Sequence, residues 1–346
     1  MIATIAWRLV GTTLGQEATA PTPQQAAAAL TERGLVKKGY LWISPDEALL
    51  QQSLDRLPRL RKRWNQARER IVQEQRRRGL LRELLSARAE IAPLLKQKDL
   101  TKTEQQELSA KASRIQFGLD QLGFSSTDEF EEDDAIGLRP VVKEFVVAHH
   151  ELLLASARVE RLTDDVIVTG YDRWNNDPRV IQSLRALGDK AGLGPRKTYR
   201  IPRRKSEPTL RLTLTDWVPT YQEEGVYRIW GLLGEDAFVE FQYRPDRGFS
   251  LIPLAMLRKA GIPLADDAPR VILSQGQRVI SGYRTTLPEL RLGARVLKNL
   301  PAVVLPDGES LGRAQLGASA FRDVDARLVP QEFRLRLTTR EPDPAP

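Results

Sequence analysis

The sequence predicts an α+β protein in which an α-helical hairpin or coiled-coil region precedes an all-β domain. Two patterns support this prediction. Apolar residues recur at three- and four-residue spacings between Leu50 and Leu122, which is typical of helices. From about Thr209 to Thr339 they alternate with polar residues in short runs, which is typical of strands. Residues 188–208 are rich in Gly, Pro, Lys and Arg and predict a linker between the two regions.

Composition excludes several classes of protein. The 346 residues suffice for two or three domains, and with 41% hydrophobic and 28% charged residues the chain can build a packed core. Cysteine is absent, which excludes disulfides, thiolate nucleophiles, zinc fingers and iron–sulfur clusters. The sequence contains no P-loop, no G-x-G-x-x-G and no G-x-S-x-G motif, so we expect no metal, nucleotide or redox cofactor.

The two histidines, His149 and His150, are adjacent in the sequence. Neighbours on a helix point about 100° apart, so the pair cannot supply two metal ligands at i, i+4 spacing. We therefore interpret both as interfacial or exposed helix residues.

The N-terminal residues, 1–25, predict a flexible tail or the remnant of a signal segment. Met1–Gly15 is mildly apolar, but Arg8 interrupts it and it is too short to span a bilayer. It is followed by the Pro/Ala/Thr-rich spacer Ala18–Ala28, as expected after a truncated signal peptide. The compartment stays open, with export to a periplasm as one alternative.

Residues 26–187 predict the helical region. Ala26–Ile43 suggests a short helix, a turn at Gly34 and a brief strand, and Ser44 is placed to cap the next helix. A break at Lys98–Leu100 then predicts a hairpin of two antiparallel helices. The second of these begins at Thr101-Lys102-Thr103-Glu104, which has the spacing of a capping box.

Three further features complete this region. Pro58, Gly79 and Pro93 predict local faults in the first long helix. The acidic stretch Ser125–Asp134 predicts a loop. Helices are expected at Val141–Leu162 and from Asp177 to Leu187.

The net charge of +8 is concentrated in the first long helix. Residues 50–100 contain 14 Lys/Arg and 6 Asp/Glu, an excess of 8 that equals the surplus of the whole chain. A basic helix binds nucleic acid or an anionic membrane surface in some proteins and is a solvated coiled-coil face in others. No nucleic-acid-binding signature accompanies the charge, so we favour the solvated face.

The β domain, predicted at residues 209–340, has an informative order of elements. The strand Ala237–Tyr243 leads to Asp246-Arg247-Gly248-Phe249-Ser250 and to a short helix, Leu254–Ala260. A hairpin follows, with Ser274-Gln275-Gly276-Gln277 at its tip. Further strands end at Gln315-Leu316-Gly317, and Phe333–Leu337 is expected to close the sheet.

This order resembles the retropepsin-like aspartic proteases of clan AA, including bacterial members with an N-terminal helical region. In that family a strand delivers an Asp-Thr-Gly-Ala-Ser motif, and a short helix, a flap hairpin and a hydrophobic-hydrophobic-Gly motif follow. Asp246, Gly248 and Ser250 match three of the five motif residues, and Leu316 and Gly317 match the later motif. The resemblance covers about 110 residues and implies a β-barrel, with Ser274, Gln275 and Gly276 in the flap.

The resemblance also implies the chemistry. Each chain supplies one catalytic aspartate, here Asp246, so a site exists only in a homodimer. The two carboxylates share a proton and activate a water molecule for peptide-bond hydrolysis. Arg247 stands where the family has Thr, whose hydroxyl braces the paired loops, and Phe249 replaces a small Ala. Both departures predict weak or lost activity.

Three functional hypotheses follow. The first is an aspartic protease domain, active or reduced to a pseudoenzyme, joined to a helical arm. The second is a non-catalytic coiled-coil scaffold whose β domain binds a peptide or protein partner. The third is polyanion binding through the basic segment Arg59–Arg82.

Overall fold

The structure is a computed structural model that describes residues 21–97, 99–124, 135–214, 217–223, 225–275, 278–307, 313–330 and 334–340. It contains two compact units. The smaller unit comprises residues 1–52 and 161–200, and the larger unit comprises residues 53–160 and 201–346. The predicted tail at 1–20 and the acidic loop Ser125–Asp134 lie outside the described residues.

Helices dominate the first 213 residues, and strands dominate the rest. The helices are α1 (Pro23–Glu32), α2 (Pro45–Leu94), α3 (Lys102–Gln121), α4 (Ala135–Arg161), α5 (Asp164–Thr169), α6 (Asp172–Asn175), α7 (Pro178–Ala186), α8 (Arg200–Thr213) and α9 (Leu254–Lys259). The first strands are β1 (Val36–Lys38), β2 (Leu41–Ile43), β3 (Gly192–Leu193), β4 (Trp217–Pro219), β5 (Tyr221–Glu223), β6 (Val226–Leu233) and β7 (Ala237–Tyr243). The later strands are β8 (Ser250–Pro253), β9 (Arg270–Gln275), β10 (Arg278–Leu292), β11 (Arg295–Leu305), β12 (Ala314–Leu316), β13 (Val324–Val329) and β14 (Arg334–Thr339). None of the described helices is long and apolar enough to cross a membrane.

The smaller unit is organised around a buried glutamate, Glu47. Its carboxylate accepts hydrogen bonds from the Tyr171 hydroxyl and, at 2.9 Å, from the backbone N–H of Arg196. The Tyr171 hydroxyl in turn accepts one from the backbone of Ser44. Ser44 also caps α2 as predicted, because its Oγ accepts from the Glu47 N–H at 3.0 Å. One carboxylate thus joins three segments that are distant in sequence.

The helical hairpin in the larger unit agrees with the sequence prediction. The hairpin core between α2 and α3 is the buried cluster Leu81, Ile91, Ile115 and Leu119. The capping box at Thr101 is present, since Thr101 Oγ1 accepts from the Glu104 N–H and the Glu104 side chain accepts from the Thr101 N–H. The helix α2 continues through Pro58 and Gly79 and ends at Leu94, one residue after Pro93. Buried side chains on both sides of Pro58, Leu57 before it and Trp64 after it, hold this part of the helix by tertiary packing.

An aromatic cluster joins α2 and α4 to the strands of the larger unit. Trp64 on α2 donates from Nε1 to Nδ1 of His149 on α4 at 2.9 Å. Phe145 on α4 packs edge-on against Trp230 of β6, with ring centroids 5.9 Å apart. His150 stacks on Phe238 of β7 at 4.5 Å. His149 is fully buried and His150 half-buried, so both histidines are interfacial, and we call this group the aromatic cluster.

The segment between residues 188 and 214 was predicted wrongly. We expected a linker to residue 208 and strands from about Thr209, where Leu210, Leu212 and Leu214 alternate with polar residues. Instead β3 pairs with β2, and residues 200–213 form α8. The alternation of leucine and polar residues was misleading because the segment is also rich in good helix formers, and Arg203 pairs with Glu207 at i, i+4.

Most strands of the β domain belong to one eight-stranded sheet with the order β5-β6-β7-β12-β8-β11-β10-β9, in which β10 also pairs with β6. Its apolar side chains form the main core, with Ile229, Phe241, Ile252, Leu290 and Val304 fully buried. The final strand, β14, was predicted to close this sheet. It lies instead in a separate three-stranded sheet of order β13-β14-β4. The closed barrel stays a prediction.

Candidate functional site

The candidate site lies where β7 ends and the chain turns into β8. The strand β12 lies between them, parallel to β7 with Leu316 opposite Tyr243, and antiparallel to β8 at Gln315 and Leu251. The Arg244 N–H continues the ladder by donating to the Leu316 carbonyl at 2.9 Å. We call residues 244–249 the Asp246 loop.

Gly317 holds the Asp246 loop against the end of β12. Its N–H donates to Ser250 Oγ at 3.2 Å, and the next N–H, of Ala318, donates to the Arg247 carbonyl at 2.7 Å. A Cβ at position 317 would lie 2.3 Å from the Phe249 carbonyl oxygen, so no side chain fits there. The two motifs singled out in the sequence, at 246–250 and 316–317, therefore lie together.

Asp246 is exposed and held by one partner. Arg244 donates to its carboxylate with two nitrogens, from Nε at 3.0 Å and from an Nη at 2.7 Å. These bonds, followed by the charge of Arg244, lower the pKa of Asp246 to about 2. The carboxylate is therefore ionised throughout the range in which proteins normally work.

Arg244 is a residue that the sequence analysis missed. It follows β7 directly and lies two residues before Asp246, so a turn there brings the two side chains together. The Arg-Pro-Asp triplet at the end of the strand could have indicated this pair, because oppositely charged neighbours meet across a turn. The bonds to Asp246 are the leading cause of a raised pKa of Arg244.

Arg247 and Gly248 occupy the outer part of the loop. The Arg247 side chain is half-buried, and burial is the leading cause of its lowered pKa, followed by the charge of Arg244. Gly248 was expected to permit a sharp turn, but its φ lies outside the left-handed region and a Cβ there would meet nothing within 4 Å. Phe249 is 38% exposed. The loop therefore faces open space on this side.

The predicted flap residues lie at the tip of the β9–β10 hairpin. Ser274 is exposed near the end of β9, opposite Val279 in the ladder. The side chain of Gln275 and all of Gly276 lie outside the described residues. Apolar side chains on this hairpin are strongly exposed, Ile272 at 77% and Val279 at 73%. In the described residues no group of His, Asp or Glu is arranged to hold a metal ion.

One comparison with known proteins, against family models, agrees with the resemblance. Residues 246–320 match the family model described as aspartyl protease (Asp_protease_2). A search of curated proteins found no match. Among solved structures, a retropepsin-like aspartic protease from Rickettsia conorii is similar at 18% sequence identity, over 35% of this chain and 87% of that chain, with a TM-score of 0.28.

Proposed function

We propose that residues 246–320, which match the aspartyl protease family model, belong to a domain that binds peptides and has weak or absent peptidase activity. The observation that carries the proposal is the two-bond ion pair between Arg244 and Asp246. Aspartic proteases need two nearby carboxylates that share one proton. An arginine bound to the carboxylate favours its ionised form and lowers its pKa, which opposes the sharing of a proton with a second carboxylate.

The position of Arg244 between the strand and the aspartate is a second argument for weak activity. In the family a strand delivers the motif that contains the catalytic aspartate. Here the first residue beyond β7 is Arg244, whose N–H still belongs to the β7–β12 ladder, and Asp246 follows two residues later. A second subunit would therefore bring two arginines toward the shared axis along with the two aspartates. Their charges would keep both carboxylates ionised and oppose general acid–base catalysis.

The proposal keeps a homodimer and a peptide as the partners. The polyanion alternative receives less support, since several arginines of the basic helix are already paired with glutamates. Arg63 pairs with Glu151 at 2.8 Å and Arg70 with Glu144 at 2.7 Å, while Arg77 and Arg78 share Glu74. These three glutamates offset three of the positive charges that would release counterions on binding nucleic acid.

The test is cleavage of a mixed peptide library by the purified full chain, followed by mass spectrometry. Four proteins are compared: wild type, Asp246→Asn, Arg244→Ala and Arg247→Thr. We expect no cleavage by wild type. Activity that appears in Arg244→Ala or Arg247→Thr would identify the arginine that disables the site. Cleavage by wild type that disappears in Asp246→Asn would contradict the proposal and establish an active aspartic peptidase.

A further inference from the structure

Arg247 is a partly buried cation, and the anion that acts on it, Asp246, is bound through two hydrogen bonds by Arg244 instead. Its backbone is fully used, since the N–H donates to the Arg244 carbonyl and the carbonyl accepts from Ala318. In the described part of the chain, its guanidinium makes no ion pair or hydrogen bond, and Asp246 is already engaged by Arg244. Taking a cation out of water is unfavourable unless an anion or acceptors compensate it. The side chain is therefore placed to gain from an added anion.

The surroundings of Arg247 leave room for a ligand. The Cβ position of Gly248 opens on free space, and the next residue, Phe249, is 38% exposed. Residues 244–247 carry two arginines and one aspartate, so the loop has a net charge of +1 even with Asp246 ionised. An open, positively charged loop that also exposes an aromatic residue suits an anionic group that belongs to a larger, partly apolar molecule.

We propose that Arg247 binds a carboxylate of a peptide ligand at the position where the family places its catalytic machinery. The inference rests on the proposed function, because it takes from that proposal that the ligand of the domain is a peptide. A planar guanidinium matches a carboxylate with two parallel N–H···O bonds, whereas a lysine provides only a point charge. The carboxylate comes either from the free C-terminus of the peptide or from an internal Asp or Glu side chain.

The experiment measures equilibrium binding of the full chain to three pools of mixed octapeptides by dialysis and mass spectrometry. The first pool has neutral side chains and a free C-terminal carboxylate, the second is the same pool with an amidated C-terminus, and the third is amidated with one internal glutamate. The proteins are wild type, Arg247→Gln and Arg247→Lys. Arg63→Gln serves as the control, because it removes the same charge from an exposed site on α2.

We expect wild type to retain a carboxylate pool at least about tenfold more strongly than the amidated neutral pool. Arg247→Gln should abolish that difference, Arg247→Lys should keep part of it, and Arg63→Gln should keep all of it. The pool that is retained identifies the source of the carboxylate. Folding of each variant is checked by circular dichroism.

Equal retention of the three pools by wild type, including no retention of any pool, would overturn the inference. An oligothymidylate that binds through Arg247 more tightly than either carboxylate pool would also overturn it, in favour of a polyanion site. Equal but measurable retention would leave the proposed peptide binding intact, whereas no retention of any pool would contradict peptide binding as well. The proposed weak peptidase activity fails separately if the recovered peptides are cleaved by wild type and left intact by Asp246→Asn.

Discussion

Asp246 and Arg244 show how a single neighbour changes the chemistry of a residue. The carboxylate alone would match the protease motif, but two hydrogen bonds from Arg244 keep it ionised. We predict that Arg244→Ala returns the pKa of Asp246 from about 2 toward its ordinary value of 3.8. Carboxyl ¹³C NMR titration of the full chain measures this directly. Arg258→Ala, which breaks an exposed ion pair with Asp307, is the matched control and should leave Asp246 unchanged.

The same pair sets the sign of a small pH effect on stability. The pKa of Asp246 is lower in the folded chain than in the unfolded chain. The contribution of this residue to stability is therefore complete above about pH 4 and is lost as the pH falls toward 2. An Asp246 signal that titrates near 3.8 in wild type would contradict the ion pair. The side chain is 58% exposed, so water screens the interaction and its share of the stability is small.

We predict that His149 makes stability depend on pH more strongly than Asp246 does, and in the same direction. Burial lowers its pKa to about 3, so the folded chain holds it neutral while the unfolded chain protonates it near pH 6.5. The unfolded state therefore binds the extra proton, and the free energy of unfolding falls as the pH drops from 6.5 toward 3. The slope from this group approaches about 1.4 kcal/mol per pH unit.

Urea unfolding of the full chain at several pH values between 7 and 4 measures that slope. His149→Gln should reduce it, since the Gln carbonyl can still accept from Trp64 but carries no titratable group. His150→Gln is the comparison, because His150 is only half-buried and its pKa is also lowered, chiefly by burial. An unchanged slope in His149→Gln would mean that His149 is not held neutral.

At the scale of single residues the sequence allowed only part of the site to be predicted. The residue types at 246–250 and 316–317 pointed to two motifs that meet. The ion pair of Arg244 was missed because it depends on where β7 ends, which alternation of residue types locates only to within a few positions. The burial of His149 was also beyond prediction, since its partner Trp64 lies 85 residues away.

The meeting of β7, β8 and β12 is the element on which the site depends. Gly317 allows the backbones of two strands and one loop to approach, with the Phe249 carbonyl 2.3 Å from the position of an added Cβ. We predict that Gly317→Ala displaces the Asp246 loop and destabilises the β domain by about 1–3 kcal/mol. Gly248→Ala is the matched control and should be close to neutral, because its Cβ meets nothing. Urea unfolding followed by tryptophan fluorescence distinguishes them, and equal losses would refute the role of Gly317.

The capping box of α3 is a second element that can be tested by itself. Thr101 accepts from the Glu104 N–H and so satisfies one of the free donors at the start of the helix. Thr101→Ala should weaken the first turn by about 1 kcal/mol, which corresponds to roughly fivefold faster amide exchange there. Hydrogen–deuterium exchange of the peptides covering α3 measures this. Thr103→Ala, a substitution inside the same helix, should not accelerate exchange, and similar rates in both variants would contradict the cap.

Elements with strong local signals were predictable, and those decided by distant contacts were not. The helical hairpin, the strand Ala237–Tyr243 and the cap of α3 follow from periodicity and capping residues. The helix α8 was missed because its leucines alternate with polar residues over only a short stretch. Such a stretch does not distinguish the two-residue period of a strand from the 3.6-residue period of a helix. The strand β14 was predicted, but its sheet was not, since its partners β4 and β13 are chosen by tertiary packing.

At the scale of the larger unit, the helices α2 and α4 contribute to the packing of the β domain. Phe145 and His149 of α4 pack against β6, and Glu160 near its end pairs with the nearly buried Arg291 of β10 at 2.7 Å. A helical region of this kind was expected to be a separate arm. Instead its aromatic cluster covers one side of the sheet, while the α2–α3 hairpin has a core of its own. The part of the chain that resembles a protease is therefore stabilised by residues outside the matched segment.

We predict that Phe145→Ala destabilises the larger unit by about 3–5 kcal/mol, because the ring is 1% exposed and its removal leaves a cavity against Trp64 and Trp230. Phe117→Ala is the matched control, since Phe117 on α3 is 64% exposed and should cost little. Urea unfolding of the full chain, followed by tryptophan fluorescence, gives both values. If the two substitutions have the same small effect, α4 does not stabilise the β domain. If Phe145→Ala alone is destabilising and also increases exchange of the β6–β7 amides, the helical region is an integral part of the domain that carries Asp246.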